Sequence, residues 1–332
     1  MTSPALTRPA ILVAGGAGYI GSQTCKAVAA FGYLPVVLDN LSTGYAAAVK
    51  WGPFEQGDIR DRDRLAAIIR QYDIKGAIHF AAYSLVGESV VNPLKYYDNN
   101  TAAAIAFTQG LIEGGVKAFV FSSTAAVYGI PTVSPIPETH ATAPINPYGA
   151  SKLAFESALR WFGEAHEFRW NALRYFNAAG ADPDGETGES HEPETHLIPN
   201  LVKAVLGTGP ALTMFGEDYP TPDGTPIRDY IHVVDLAEAH VRAIATLLDG
   251  ADSAIMNVGT GSGATVKQVI EAAERVMGAP VPRTVGPRRA GDPPALVADV
   301  GLIRQRLGWT ARYSDMDRII RDAARWQRER SW

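Results

Sequence analysis

The segment Gly15-Gly16-Ala17-Gly18-Tyr19-Ile20-Gly21 constrains this chain more than any other. It follows the short apolar run at residues 11–14 directly and opens a periodic, helix-like stretch at 19–31. Strand, turn and helix in that order, with G-x-x-G-x-x-G at the turn, form a variant of the dinucleotide-binding fingerprint. Gly15 permits a tight turn, Gly18 lets the backbone approach a pyrophosphate, and Gly21 lets helix pack on strand. The amides that open the helix then face the phosphates with a partial positive charge. The next apolar run, residues 35–38, ends in Asp39. A carboxylate there accepts from both ribose hydroxyls and repels a 2′-phosphate. Asn40-Leu41-Ser42 follows it, with no arginine, which favours NAD over NADP. Gly57-Asp58-Ile59 leaves two readings open: Asp58 takes the adenine amine, or it caps the helix starting near Asp61.

Residues 77–80 and 118–122 are again brief apolar runs, and residues 61–71 and 93–113 carry helical periodicity. This alternation predicts a parallel sheet covered by helices on both faces. Right-handed crossovers make it an α/β fold with a Rossmann-type doubly wound parallel sheet. After about residue 175 the texture changes. Residues 182–194 and 216–226 read as loops rich in Gly, Pro and acidic residues. Helices are expected at 197–206, 234–248, 265–277 and 314–328, and short strands at 211–215 and 255–258. We expect an NAD-binding domain over residues 1–176, with segments near 228–260 returning to it. Residues 177–332 then form, for the most part, a smaller C-terminal α/β substrate lobe. Cys25 reads as a core residue, and the arginines from Arg304 onward read as a solvated helix face.

Composition excludes several classes. Thirty Lys and Arg against 35 Asp and Glu leave a net charge of -5, which argues against a nucleic-acid partner. A single cysteine rules out a disulfide framework and a multi-cysteine metal site, and no metal is expected. No apolar run approaches the ~20 residues of a membrane span. The apolar stretch at residues 10–14 is too short for a signal-peptide core, so the expected location is the cytoplasm, with no membrane partner.

Tyr148-Gly149-Ala150-Ser151-Lys152 is Y-x-x-x-K after Pro144 and Pro147, which set the start of a helix. At this spacing both side chains share one helix face. A phenol with a pKa near ~10 is a poor base at neutral pH, and a neighbouring ammonium and a nicotinamide cation are expected to lower that value. Such a pair exchanges a proton with an alcohol while a cofactor exchanges hydride. Thr124, ending the run Phe121-Ser122-Ser123-Thr124, is placed to hydrogen-bond the reacting alcohol.

With these residues in hand, the chain resembles the extended short-chain dehydrogenase/reductase family, and within it the UDP-galactose (UDP-glucose) 4-epimerases. The resemblance runs from about Ile11 to about Trp326. It is carried by GGAGYIGS (15–22), GDIRD (57–61), HFAA (79–82), YYDNN (96–100), NPYGASK (146–152), LRYFNAAGA (173–181), NVGTG (257–261) and PRRAGDPPALVAD (287–299). HEPETHLIP (191–199) is similar to a bacterial subgroup associated with exopolysaccharide sugar supply. The resemblance implies that Tyr148 is the base, Lys152 its electrostatic partner and ribose anchor, and Thr124 the hydroxyl helper. It places NAD against Gly15, Gly18, Tyr19, Ile20, Gly21, Asp39, Asn40, Ser42, Asp58, Ile59, Phe80, Ala81, Ala82, Asn99, Ser122, Tyr175 and Phe176, with Tyr148 and Lys152 also touching it. It places a UDP-sugar against Thr124, Tyr148, Asn177, His196, Leu197, Thr213, Phe215, Arg228, Arg289, Asp292 and Leu296. Arg228 and Arg289 hold the diphosphate and Asp292 a uridine ribose hydroxyl; forked guanidinium donors suit phosphate.

The sequence departs from the family pattern at two points. Tyr83-Ser84 stands where related enzymes carry a phosphate-contacting Lys, and His196 where many carry Asn. The implied reaction is epimerisation at C4 of UDP-glucose and UDP-galactose through a transient 4-keto sugar. Leu296 falls at a position that sets substrate breadth, so UDP-N-acetylhexosamines or UDP-xylose/UDP-arabinose are alternatives. Ala125-Ala126 after Thr124 leaves a sugar-nucleotide dehydratase without its acid, and the intact Thr124, Tyr148 and Lys152 oppose a non-catalytic NAD(H)-binding protein. The family also pairs the helices at 93–113 and 147–166 between subunits, which implies a homodimer.

Overall fold

A computed structural model describes residues 9–289, 292–330 and 332. Its centre is a seven-stranded parallel sheet. In chain order the strands are β1 (Ala10–Ala14), β2 (Leu34–Asp39), β3 (Phe54–Gln56), β4 (Ile74–His79), β5 (Ala118–Thr124), β6 (Arg169–Tyr175) and the strand Ala254–Val258. In space they run Ala254–Val258, β6, β5, β4, β1, β2, β3. The chain therefore winds one way from β1 to β3 and the other way from β4 onward, which opens a crevice between the ends of β1 and β4.

Each face of the sheet buries an apolar layer. Leu65 and Ile68 of α2 (Arg62–Tyr72) lie on one face. Phe107 and Leu111 of α5 (Ala104–Glu113), with Phe155 and Leu159 of α6 (Pro147–His166), complete that layer. On the other face lie Val28 of α1 (Tyr19–Ala30), Leu236, Val241 and Ile244 of α8 (Val233–Leu248), and Ile303 of α10 (Gly301–Leu307). Cys25 is in the core as expected, and burial pushes its thiol pKa up.

A separate apolar cluster joins α7 (Leu197–Leu206), α9 (Val266–Met277) and α11 (Met316–Glu329). Three small sheets connect it to the crevice. Asn177–Ala179 pairs with Tyr230–His232, and Leu212–Phe215 with Arg283–Gly286. Ile227–Arg228 is flanked by Ala264–Thr265 and Ala295–Leu296, which sets Leu296 opposite Arg228.

Several expectations are corrected. Residues 93–113 are not one regular helix: α4 (Pro93–Tyr96) and α5 are joined by a π-helical stretch, Tyr97–Ala103. π-turns insert where side chains must be re-aimed. Here Asn100 accepts from Tyr83 N at 2.9 Å and donates to Tyr83 O at 2.9 Å, and Thr101 donates to Ser151 O at 2.8 Å. The capping reading of Asp58 falls: Asp61 caps α2 by accepting from Arg64 N at 3.0 Å. Asp58 instead accepts from Arg60 N at 2.9 Å and from Asn40 Nδ2 at 3.1 Å. Among the late arginines, Arg304, Arg306, Arg321 and Arg328 are exposed. Arg325 donates to Pro183 O and Arg330 to Ser190 Oγ, so these two hold a loop rather than face water alone. The strand β6, the helix α3 (Val86–Val91) and α10 were not anticipated.

Candidate active site

The crevice continues into the C-terminal elements as one cavity of about 1760 Å³. Every residue expected to touch cofactor or substrate lines it, except Ser122. At the cofactor end, Gly15, Gly18, Tyr19, Ile20 and Gly21 form the turn after β1. Asp39 ends β2 with 8% exposure; its carboxylate accepts from Ala17 N at 3.0 Å and from Leu41 N at 2.8 Å. Burial raises the Asp39 pKa, and these two amides oppose the rise. Each oxygen keeps a further lone pair, which fits ribose hydroxyls. Asn40, Ser42, Asp58 and Ile59 also line the cavity, as do Phe80, Ala81, Ala82 and Asn99.

The chemistry-bearing residues lie midway. Thr124 ends β5, and its Oγ1 accepts from Ala126 N at 3.1 Å, which leaves its own proton to donate. Asn146 caps α6 by accepting from Gly149 N at 2.9 Å, with Pro147 in the first turn. That start places Tyr148 and Lys152 on the cavity, 6% and 2% exposed. Lys152 Nζ donates to Ser122 O at 2.9 Å and lies 4.8 Å from the Phe121 ring centroid. Ser122 thus supports the site from behind: its hydroxyl donates to Tyr175 Oη at 3.1 Å. Tyr175 and Phe176 themselves line the cavity.

One electrostatic expectation is reversed in the chain alone. The Tyr148 phenol is raised, not lowered, chiefly by burial and then by Tyr175; the Thr124 hydroxyl works against the rise. Burial also takes the Lys152 ammonium down to about 7, so near neutrality it carries only part of a charge. A positive nicotinamide ring in the cavity would add the missing charge beside the phenol. Lys152, buried with donors to spare, and the Asp39 carboxylate both fit NAD.

At the far end lie Asn177, His196, Leu197, Thr213, Phe215, Arg228, Arg289, Asp292 and Leu296. Arg228 Nη2 donates to Asp292 Oδ1 at 2.5 Å. The Arg289 guanidinium carbon stands 4.2 Å from the Phe215 ring centroid. Tyr219, which the sequence marked only as loop, donates to Asp292 Oδ2 at 3.2 Å. Tyr83 and Ser84 line the cavity, and so does Lys95, whose Nζ sits 4.0 Å over the Tyr83 ring and 2.6 Å from Glu88. Glu189, His191 and Glu194 also face this space; the sequence signal was the HEPETHLIP run, of which only His196 and Leu197 were singled out.

Fold and site together define a Rossmann-type α/β protein with a Tyr-x-x-x-Lys pair and a Thr hydroxyl on one large cavity. The model of the NAD dependent epimerase/dehydratase family matches residues 11–259, and the chain belongs to that family. A UDP-glucose 4-epimerase of Rhizobium meliloti is 50% identical over 321 residues, covering 97% of this chain and 98% of that protein. The crystal structure of UDP-glucose 4-epimerase from Brucella ovis in complex with NAD is 49% identical, with a TM-score of 0.93, over 95% of this chain and 97% of that one. The Bifidobacterium longum UDP-glucose 4-epimerase, solved with NAD+ and UDP, is 36% identical, with a TM-score of 0.90, over 96% and 98%.

Proposed function

We propose that this chain is an isomerase, an NAD-dependent UDP-glucose 4-epimerase that interconverts UDP-glucose and UDP-galactose. One observation carries the reading: Asp39, the Thr124–Tyr148–Lys152 group and the Arg228–Asp292 pair line a single cavity. Ala125 and Ala126, the residues after Thr124, supply no acid for elimination, which favours epimerisation over dehydration. The names of the relatives support the same substrate pair.

Bound NAD supplies the hydride acceptor and donor at C4 of the sugar. Tyr148 Oη takes the C4 hydroxyl proton in one direction and returns it in the other. The partial positive charge on Lys152 and that of the bound nicotinamide together would stabilise the phenolate, and the Thr124 hydroxyl holds the C4 oxygen in line. Arg228 and Arg289 grip the diphosphate, Asp292 takes a uridine ribose hydroxyl, and Asn177 and His196 face the phosphates. Firm hold on UDP with loose hold on the sugar lets a 4-keto sugar turn over between the two hydride transfers. Residues 1–176 serve the cofactor and 177–332 chiefly the UDP-sugar, with the strand Ala254–Val258 returning to the first sheet.

The active form on this reading is a homodimer. Val91, Leu94 and Trp161 are 82%, 76% and 65% exposed on α3, α4 and α6, apolar side chains suited to burial by a second copy. Among the described residues no helix is long and apolar enough to cross a membrane. The proposed setting is the cytoplasm, supplying galactose metabolism and exopolysaccharide precursors.

Conversion of UDP-galactose by the purified chain, followed by chromatography, tests the reading. Tyr148→Phe is expected to lower turnover by orders of magnitude with NAD still bound. Near-normal turnover in that variant overturns it.

A further inference from the structure

Four side chains with metal-binding atoms converge on the loop before α7, at the edge of the cavity. The Glu189 and Glu194 side chains are 5% and 3% exposed, those of His191 and His196 28% and 39%. His196 Nδ1 lies 2.7 Å from Glu189 Oε1 and 3.0 Å from Glu194 Oε1. His191 Nδ1 lies 3.1 Å from Glu189 Oε1 and 3.8 Å from Glu194 Oε2. One ligand atom from each residue falls within 4.8 Å of the others.

A second observation points to a ligand. Glu194 Oε2 is buried with no hydrogen-bond partner among the described residues, and it faces the His191 ring from beyond hydrogen-bond reach. Its sister oxygen is fully engaged, accepting from Thr195 N at 2.8 Å and His196 N at 2.9 Å. Two buried carboxylates need two positive charges beside them. Two imidazoliums provide these, and so does one divalent cation with both rings neutral. The cation gives the orphaned oxygen a partner at bonding distance, whereas His191 Nδ1 stands 3.8 Å from it. Ligands about 2.0–2.1 Å from a tetrahedral ion stand roughly 3.3 Å apart; the imidazole–carboxylate separations of 2.7–3.8 Å bracket that value, and the widest pair of the four closes by side-chain rotation.

We propose that Glu189, His191, Glu194 and His196 form a binding site for a divalent transition metal of the zinc class. Mixed imidazole and carboxylate ligands select such ions over magnesium or calcium. The expectation of no metal rested on cysteine count, and this set contains no cysteine. The ion enters as two ring protons leave, so uptake releases protons. The loop is already tied to α11, since Trp326 Nε1 and Gln327 Nε2 donate to Glu189 O at 3.0 and 3.2 Å. The His191 ring also meets Tyr19 edge-on, 6.4 Å between centroids. A bound ion therefore clips the loop where the glycine turn meets the C-terminal elements. It takes no part in hydride transfer.

Cobalt(II) alone, added to the full-length chain after chelator treatment, tests the site without substrate and independently of the epimerase reading. We expect one equivalent per chain, the intense visible absorption of a four-coordinate ion, displacement by one equivalent of zinc, and a rise in unfolding temperature. His191→Asn and Glu194→Gln are each expected to weaken uptake by on the order of 100-fold. His191→Asn changes a part-exposed ring, and circular dichroism checks that it folds. No uptake by the unaltered chain, a weak six-coordinate spectrum, or unchanged uptake in folded His191→Asn overturns the proposal.

Discussion

Arg228 and Asp292, 64 residues apart in the chain, share a charge-assisted hydrogen bond of 2.5 Å in the wall of the cavity. Tyr219 holds the other carboxylate oxygen at 3.2 Å, and Arg228 Nη1 donates to Ile227 O at 2.7 Å. The guanidinium is thus held in place in the ligand-free chain, as the proposed diphosphate contact requires. Hydrogen bonds to charged groups contribute about 1.5–3 kcal/mol each. Arg228→Ala is therefore expected to weaken UDP binding by roughly 10- to 100-fold in calorimetry. Arg228→Lys recovers only part of it, because the fork is lost. An unchanged Kd in Arg228→Ala removes this residue from the diphosphate site.

Lys152 sets a pH dependence of stability in the cofactor-free chain. Burial brings its folded pKa to about 7, with the Glu156 carboxylate pulling the other way. The unfolded value is ~10.4. Between those values the unfolded chain holds a proton that the folded chain lacks, so this residue's contribution to stability rises with pH. The buried lysine carries no protonation cost above about 10.4, and its cost to the folded state grows as pH falls toward 7. Lys152→Met removes it. Thermal unfolding should find the variant ahead of the unaltered chain by a few degrees near neutrality, with the gap closing by pH ~10. A gap that does not change with pH contradicts a buried, depressed lysine.

Legibility followed how local each cause is. β1, β2, β4 and β5 are short apolar runs closed by small or polar residues, and they were readable. β6 was not, because Asn171 and Arg174 interrupt it. Both are buried, and their partners come from elsewhere: Arg174 Nη2 donates to Glu156 Oε2 at 2.6 Å, and Asn171 Oδ1 accepts from Ala254 N at 3.0 Å. The π-stretch is likewise invisible locally, since contacts to Tyr83 and Ser151 fix it. In the site, residues inside motifs were found, while Tyr219 was hidden in an aperiodic loop.

On the proposed homodimer, the exposed apolar side chains of α3, α4 and α6 are the expected interface. Leu94 and Trp161 project no charge and are 76% and 65% exposed, so a substitution there disturbs little of the core. Leu94→Asp combined with Trp161→Arg is expected to give a monomeric mass by light scattering, with unchanged circular dichroism. A dimeric mass in the double variant places the interface elsewhere.

Gly15, Gly18 and Gly21 of the turn after β1 make different demands, and the difference is measurable. Gly15 sits at φ +81°, and a Cβ there would lie 2.6 Å from Ala81 N. A Cβ on Gly21 would lie 2.1 Å from Gly15 O. Both collisions are with backbone, so Gly15→Ala and Gly21→Ala should lower the unfolding temperature even without cofactor. Gly18 differs: its φ of -83° suits any residue, and its Cβ would meet only Gly15 O, at 3.4 Å. Gly18 lines the cavity and opens α1, so an added methyl points its cost at a pyrophosphate on the helix amides. Gly18→Ala is expected to keep the cofactor-free unfolding temperature while weakening NAD roughly tenfold or more. Thermal unfolding with and without NAD, beside a fluorescence titration, separates the two effects. Wild-type NAD affinity in Gly18→Ala would remove the pyrophosphate from this turn.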